Sequence, residues 1–369
     1  MNQMLKGTSL ILNTVLLMMP MTLRAASYYP VRLDDPKAVY LTPENFPVRA
    51  DGVADDADAL QQAINKVQET VHQGVVFIPE GQYRLGKTVY AWSGIRLIGY
   101  GSRRPVFILG ENTPGIQEAT KTGPGIGTSM YMIHFVSDRP EEGKPMRDAN
   151  PGTFYSGISN IDIEIRDGNP AAIGIRSHFA QHCSLAHMDF RIGSGKAGVE
   201  EAGNESEDLH FFGGEFDITM HKPSPSWPFL LIDSSFEGQR KAAIKTQEVG
   251  LTLVRNQFRN VPTAISINEN RADELWLKDS HFENITGHAP PQRRERWHSQ
   301  RSRFAGFGLA ATKKHRPTAI KKKQTRRISL MRESDFATPQ TGRLEGRCRN
   351  PDGGFRCLAG VSLKHGSIL

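Results

Sequence analysis

The feature that most constrains this chain is an apolar slot that keeps returning between Ile158 and Thr286. Phe190, Phe216, Phe236, Phe258 and Phe282 stand in near-equivalent settings, and Ile163 fills the slot of an earlier copy. Successive slots are 27, 26, 20, 22 and 24 residues apart. A second set of short apolar segments, ending at Ile175, Val199, Ile244 and Ile267, alternates with the first. Each repeat therefore holds two or more short strands divided by Gly, Asn, Asp and Ser turns. One such repeat cannot bury its apolar face alone, so the repeats must stack and share a core. An antiparallel sandwich also yields short strands, with turns every ~8–12 residues, but it has no slot that returns every second strand. The expectation is an all-β, single-stranded right-handed parallel β-helix, with Ile163, Phe190, Phe216, Phe236, Phe258 and Phe282 in one interior column.

Upstream, Phe46-Pro-Val-Arg-Ala-Asp-Gly-Val-Ala-Asp-Asp-Ala-Asp-Ala-Leu-Gln-Gln-Ala-Ile64 passes from a turn into a helix. Leu60, Ile64, Val67 and Val71 recur on one helical face, which predicts a helix over Ala57–Val71 packed by a single stripe. Asp55 or Asp56 is the expected N-cap, a short carboxylate accepting from free amides of the first turn. Segments at Val75–Ile78, Tyr83–Leu85, Thr88–Tyr90 and Ile95–Gly101 read as strands punctuated by glycine. From Phe46 to about Gly287 the chain resembles the pectate-lyase-like right-handed β-helix superfamily. Its opening motif matches Phe46–Ile64, and its first strands match Val75–Gly101. That superfamily includes pectate lyases, polygalacturonase and rhamnogalacturonase relatives, family 55-type glucanases, epimerases and phage tailspikes. The resemblance implies that the helix caps the N-terminal end of the solenoid. The opening motif speaks for the fold and says little about the reaction.

Residues 1–26 read as an export signal, with Lys6 followed by the apolar Leu10–Pro20 and a small-residue zone at Leu23–Ser27. That places the protein outside the cytoplasm, secreted or periplasmic, with no transmembrane segment after cleavage. Residues 27–287 form the β-helix domain and 288–369 a separate tail. Charge divides at the same boundary: from Pro290 onward there are 19 Lys and Arg against 5 Asp and Glu, while the remainder has 27 against 34. The basic balance thus belongs to the tail, and nucleic acid is not the expected partner of the folded body. The tail has three readings: a basic arm for polyanions, a disordered segment, and text translated out of frame from about codon 288. On each, it should not continue the solenoid. Cys183, Cys348 and Cys357 are too few for a disulfide framework, and Cys183 reads as a small buried residue. Between Gly110 and Gly157 the repeat lapses around one strand at Met130–Val136, as a cleft wall or as a solvated insertion.

Side chains flanking an inward slot point out of the solenoid. Those beside the phenylalanine column include Asp162, Glu164, Asp189, Glu215, Asp217, His281 and Glu283, and stacked coils set such residues ~4.8 Å apart. Carboxylates paired at ~5–9.5 Å would suit glycoside hydrolysis. In the polygalacturonase branch, the resemblance implies catalytic aspartates just before the strand of the second set. Only Asp167 keeps a carboxylate there, so that mechanism is not carried over whole. The same column holds Lys196, Arg240 and Lys241, with Glu200 and Glu201 just beyond. Asp167, Glu200, Glu201 and Arg240 are the candidate catalytic residues; Lys196, Lys241 and Trp227 are the candidate substrate contacts. Basic groups there could hold uronate carboxylates, or an arginine could take an α-proton as lyases of the superfamily do. Calcium would need clustered oxygens, which Asp162, Glu164, Asp189 and Asp217 could supply, though no spacing demands it. His178, His182 and His187 are close in sequence, but a strand-turn-strand would scatter them. The function classes that follow are a lyase or glycoside hydrolase acting on a polysaccharide, a non-catalytic glycan-binding or structural β-helix, and a truncated, inactive product.

Overall fold

The computed structural model describes residues 26–118, 131–149, 152–178, 180–221, 229–247, 249–267, 274–287, 296–300 and 303–305. The expected signal region before residue 26, Trp227, and the tail beyond residue 305 lie outside the described residues. The chain winds as a right-handed parallel β-helix. Each complete turn lays one segment on each of three faces. A coil late in the stack shows the pattern: Gly250–Val254 lies on the first face, Gln257–Arg259 on the second and Ile265–Ile267 on the third. The first two faces belong to one 18-stranded sheet, joined by the long strands Ser184–Arg191 and Glu205–Phe212 that run through both. The third is a separate sheet of 7 strands, one per complete coil.

The helix spans Ala57–Val71 as expected, and Leu60, Ile64 and Val67 are fully buried on its inner stripe. Of the two expected capping acids, it is Asp55 whose side chain reaches the helix. Asp56 holds the N-cap position but makes no side-chain bond to the helix, because its two carboxylate oxygens accept from the Arg49 and Ala50 amides at 2.8 and 2.9 Å. Asp55 accepts instead from Ala57 N and from Gly86 N, both at 3.0 Å, and so ties the helix start to the first coil. These acids organise backbone, not substrate.

Inside the solenoid, Phe107, Ile163, Phe190, Phe211, Phe236, Phe258 and Phe282 occupy successive positions of one ladder on the second face. From Phe190 to Phe282 the rings stack at centroid distances of 4.5, 5.1, 4.6 and 4.7 Å, all within 16° of parallel. Phe216 is not in this column. The run His-Phe-Phe-Gly-Gly-Glu-Phe offers three rings within seven residues, and Gly213 and Gly214, at φ of 76° and 79°, turn the chain after Phe212. That turn carries Phe216 onto the third sheet, where it pairs with Ala242, and leaves Phe211 in the slot. Ile175, Val199, Ile218, Ile244 and Ile265 form the corresponding ladder of the third sheet.

The expectation that the solenoid stops near residue 287 is also corrected. Arg296–Gln300 pairs in parallel with Glu274–Lys278, and Arg303–Ala305 with His281–Glu283. Phe304 stands opposite Phe282, 22 residues on, inside the spacing of the earlier repeats. Arginines around this segment hide an apolar return that is only one residue wide.

Candidate functional site

On the third sheet, the residues after the inward ladder point outward and align as Tyr90, His134, Arg176, Glu200, Thr219, Lys245 and Ser266 on consecutive coils. Four of these seven are titratable beyond tyrosine, and they meet at the C-terminal ends of the strands. Asp148 comes over them from the excursion between coils, where it makes an antiparallel bridge with Val136. Arg176 grips its carboxylate with Nε at 2.9 Å and Nη2 at 2.5 Å. His134 Nε2 and His178 Nδ1 reach the same carboxylate at 2.9 and 3.0 Å. Burial pushes the Asp148 carboxyl up, but these three partners together outweigh it and hold the group well below the usual carboxylate range. His134 is held low by its own burial, against the pull of Asp148, and so is neutral. Arg176 also lies 5.6 Å over the Tyr131 ring and 3.6 Å from Glu200 Oε2, which is buried without a hydrogen-bond partner.

The next residue builds a carboxylate–imidazole pair. Glu201 is buried with its backbone at φ 59°, and its carboxylate meets His221 Nδ1 at 2.7 Å and His221 N at 3.1 Å. A carboxylate only accepts, so Nδ1 carries the proton and Nε2 is left with no partner among the described residues. The hydrogen bond to Glu201 raises the His221 pKa, and burial opposes it less strongly. The His221 side chain is 46% exposed, so this carboxylate-oriented imidazole is within reach of a ligand. At the opposite ends of the same strands, Phe216 lies under two cations, Lys241 at 5.9 Å and Lys245 at 5.3 Å.

The sequence-derived candidates divide between these two ends. Glu200 and Glu201 join the cluster. Lys241 is beside Phe216 and salt-bridged to Glu215 at 2.7 Å. Lys196 lies at the turn into Ala197–Glu200, its amide donating to Ala172 O at 2.8 Å. Asp167 is exposed in the turn after Asp162–Ile165, where its carbonyl accepts from Asn112 N at 3.0 Å. Arg240 is exposed, and its two terminal nitrogens donate to the carbonyls of Gly193, Ser194 and Gly195 at 2.8–2.9 Å. It clamps neighbouring turns. Asp148, Arg176, His134 and His221 were missed. Asp148 enters from an irregular excursion with no repeat to index it. His221 had a usable signal, since the pairing of Glu200 with Thr219 puts the residues just beyond each strand side by side. His178, His182 and His187 go to three different places, on Asp148, Tyr155 and Asp208.

The acids that could have supplied oxygens to calcium are dispersed. Asp217 points into the core and is fully buried. Asp162 and Asp189 are bridged by Arg104, at 2.9 and 2.5 Å, in a cluster sealed from solvent. Burial pushes the Asp162 carboxyl up to about 6 despite that cation, and the quartet with Arg191 reads as an internal staple. Among the described residues no group of three or more His, Cys, Asp and Glu is disposed to hold a metal ion.

Residues 44–287 match the family described as rhamnogalacturonase A/epimerase, pectate lyase-like. No curated protein matches the chain. Among solved structures it is similar to PfbA, a surface adhesin of Streptococcus pneumoniae, with 14% identity over 72% of this chain and 77% of that one and a TM-score of 0.40. It is similar also to the A-module of the Azotobacter vinelandii mannuronan C-5 epimerase AlgE4, with 11% identity over 73% and 72% and a TM-score of 0.39. A third is the tailspike of Acinetobacter phage vB_ApiP_P1, with 10% identity over 80% and 66% and a TM-score of 0.43.

Proposed function

Because the chain belongs to the rhamnogalacturonase A/epimerase, pectate lyase-like family, we propose that it is an exported enzyme that cleaves an acidic polysaccharide laid along the outer face of the third sheet. The observation that carries this reading is the Glu201–His221 pair beside Glu200, Arg176 and Lys245. A lyase needs a base for the proton α to a uronate carboxylate and a cation to stabilise the charge that develops. His221 Nε2 is the base, and Lys245, whose charge is felt at His221, is the cation. The proton passes to Nε2, the C4–O bond breaks, the electron pair forms the C4–C5 double bond, and solvent protonates the departing oxygen. Arg176 stays with Asp148 and stiffens the floor of the site. Phe216, partly buried, offers a ring edge for a sugar face, while Tyr131 is buried beneath Arg176.

The test is release of unsaturated ends from polygalacturonate and alginate, followed by absorbance. His221→Asn should lower kcat by about 10²–10⁴-fold, the range of a lost general base. The base must be unprotonated, so activity rises as pH passes the raised His221 pKa. Glu201→Gln removes the group that raises it and should move this rising limb to lower pH. Full activity in His221→Asn, or an unmoved limb in Glu201→Gln, would overturn the assignment.

A further inference from the structure

A second site is carved into a different face. On the outside of the first sheet, Arg96, Gly157 and Ser184 occupy one row on three consecutive coils. Gly157 has no side chain there, and a Cβ would come within 2.5 Å of Ser184 O, so the row keeps a notch between its neighbours. The cleft that results has a volume of about 110 Å³. Its polar lining is made of donors: the Arg96 guanidinium, the Ser159 and Ser184 hydroxyls, and His182, with no carboxylate among its lining residues. Arg96 commits only Nε, to Tyr155 O at 3.1 Å, and its two terminal nitrogens take no partner among the described residues.

The rim is built from residues under backbone strain. Tyr155 and His182 both adopt the left-handed region, at φ 58° and 61°, which a bulky side chain rarely enters. Their rings stack at 5.3 Å and 10°, the Arg96 guanidinium stands 5.9 Å from the tyrosine centroid, and Tyr155 is 46% exposed. An exposed flat ring held in a strained conformation, next to a guanidinium with both terminal nitrogens open and two free hydroxyls, is the makeup of a sugar-anion subsite.

We infer that this notch binds an oxyanion borne on a sugar ring, a carboxylate or a sulfate ester, with the ring resting on Tyr155. It lies on the first sheet, separate from the third-sheet site, so it would hold a long chain at a second point. The experiment measures binding of the full-length chain to polygalacturonate, dextran sulfate and neutral dextran by affinity electrophoresis at several salt concentrations. Arg96→Gln should weaken binding of the charged polymer about tenfold and flatten its salt dependence, since a charge-assisted contact is lost. Tyr155→Ala should weaken it severalfold without changing the salt slope. Binding of polygalacturonate alone assigns the carboxylate, binding of dextran sulfate alone assigns the sulfate ester, and binding of both assigns the shared oxyanion. The inference is overturned if no charged polymer binds, if neutral dextran binds as tightly, or if both variants bind like wild type. Turnover of polygalacturonate by His221→Asn, measured separately, tests the third-sheet reading by itself, so failure of the notch and failure of that reading are told apart.

Discussion

Asp217 gives the sharpest test of the core. It precedes Ile218 in the third sheet, points inward and is wholly buried. Neither carboxylate oxygen has a hydrogen-bond partner, and the neighbouring Gln239 Oε1 is likewise unpaired, because Gln239 Nε2 donates to Glu237 O at 2.9 Å. If Asp217 is protonated and donates to Gln239 Oε1, that oxygen and the donating carboxyl oxygen both gain a partner, and no charge is left buried. Burial raises its pKa well above the ordinary value, in agreement with a neutral acid. The linkage follows in sign: between the unfolded pKa of about 3.9 and the raised folded value, the native state binds more protons, so stability falls as pH rises. Within that window the slope is about 1.4 kcal/mol per pH unit. Asp217→Asn supplies an amide donor of the same shape without a titrating proton. Urea unfolding of wild type and variant across about pH 4 to 8 isolates the effect as a difference, because the opposite contribution of Asp148 and the parallel one of Asp162 cancel. The variant should become progressively more stable than wild type as pH rises. A difference that stays flat with pH would show that Asp217 is ionised in the core and that this hydrogen-bond assignment is wrong.

Phe236→Ala empties a fully buried slot between two stacked rings and should cost about 3–5 kcal/mol by urea unfolding, whereas Phe216→Ala, outside the column, should cost clearly less. Arg240→Ala should lower stability by about 1–2 kcal/mol and leave kcat nearly unchanged, since its guanidinium clamps carbonyl oxygens that partly recover water; a loss of kcat at constant stability would return it to the chemistry. Glu200→Gln removes the charge facing Arg176 and should reduce turnover of polygalacturonate more than its binding, read as a fall in kcat with KM little changed.

What could be read from the residues alone follows from which features are periodic. The helix and the column from Phe190 through Phe282 were legible because a returning slot and a 3.6-residue stripe are local signals. Phe211 was exchanged for Phe216 because two glycines with positive φ move the chain from one sheet to the next within two residues, and composition does not mark that. Phe304 was passed over because the charge of its surroundings was weighed above a single ring at the right spacing. Glu200 and Glu201 were found because they extend a strand of the repeat. Asp148 had no such index, and Arg176 stood in the repeat without its partner, so its role appeared only once the excursion was folded back. Asp55 and Asp56 were placed in the correct turn, but which of them reached the helix depended on backbone conformation around Arg49 and Ala50.

The outward row from Tyr90 to Ser266 takes one residue from each of seven coils, although the chain between them varies from 19 to 44 residues. Spacing across the sheet is set by the hydrogen bonds of the ladder, ~4.8 Å per rung, and not by the length of chain that returns to it. The turns can therefore lengthen, shorten or acquire new walls while the distances between site residues stay fixed. Changes of ligand preference can be confined to loops such as the one that delivers Asp148, and changes of chemistry to the rungs. A whole coil added or lost would instead shift every downstream rung by one step, replacing the neighbour of each side chain at once.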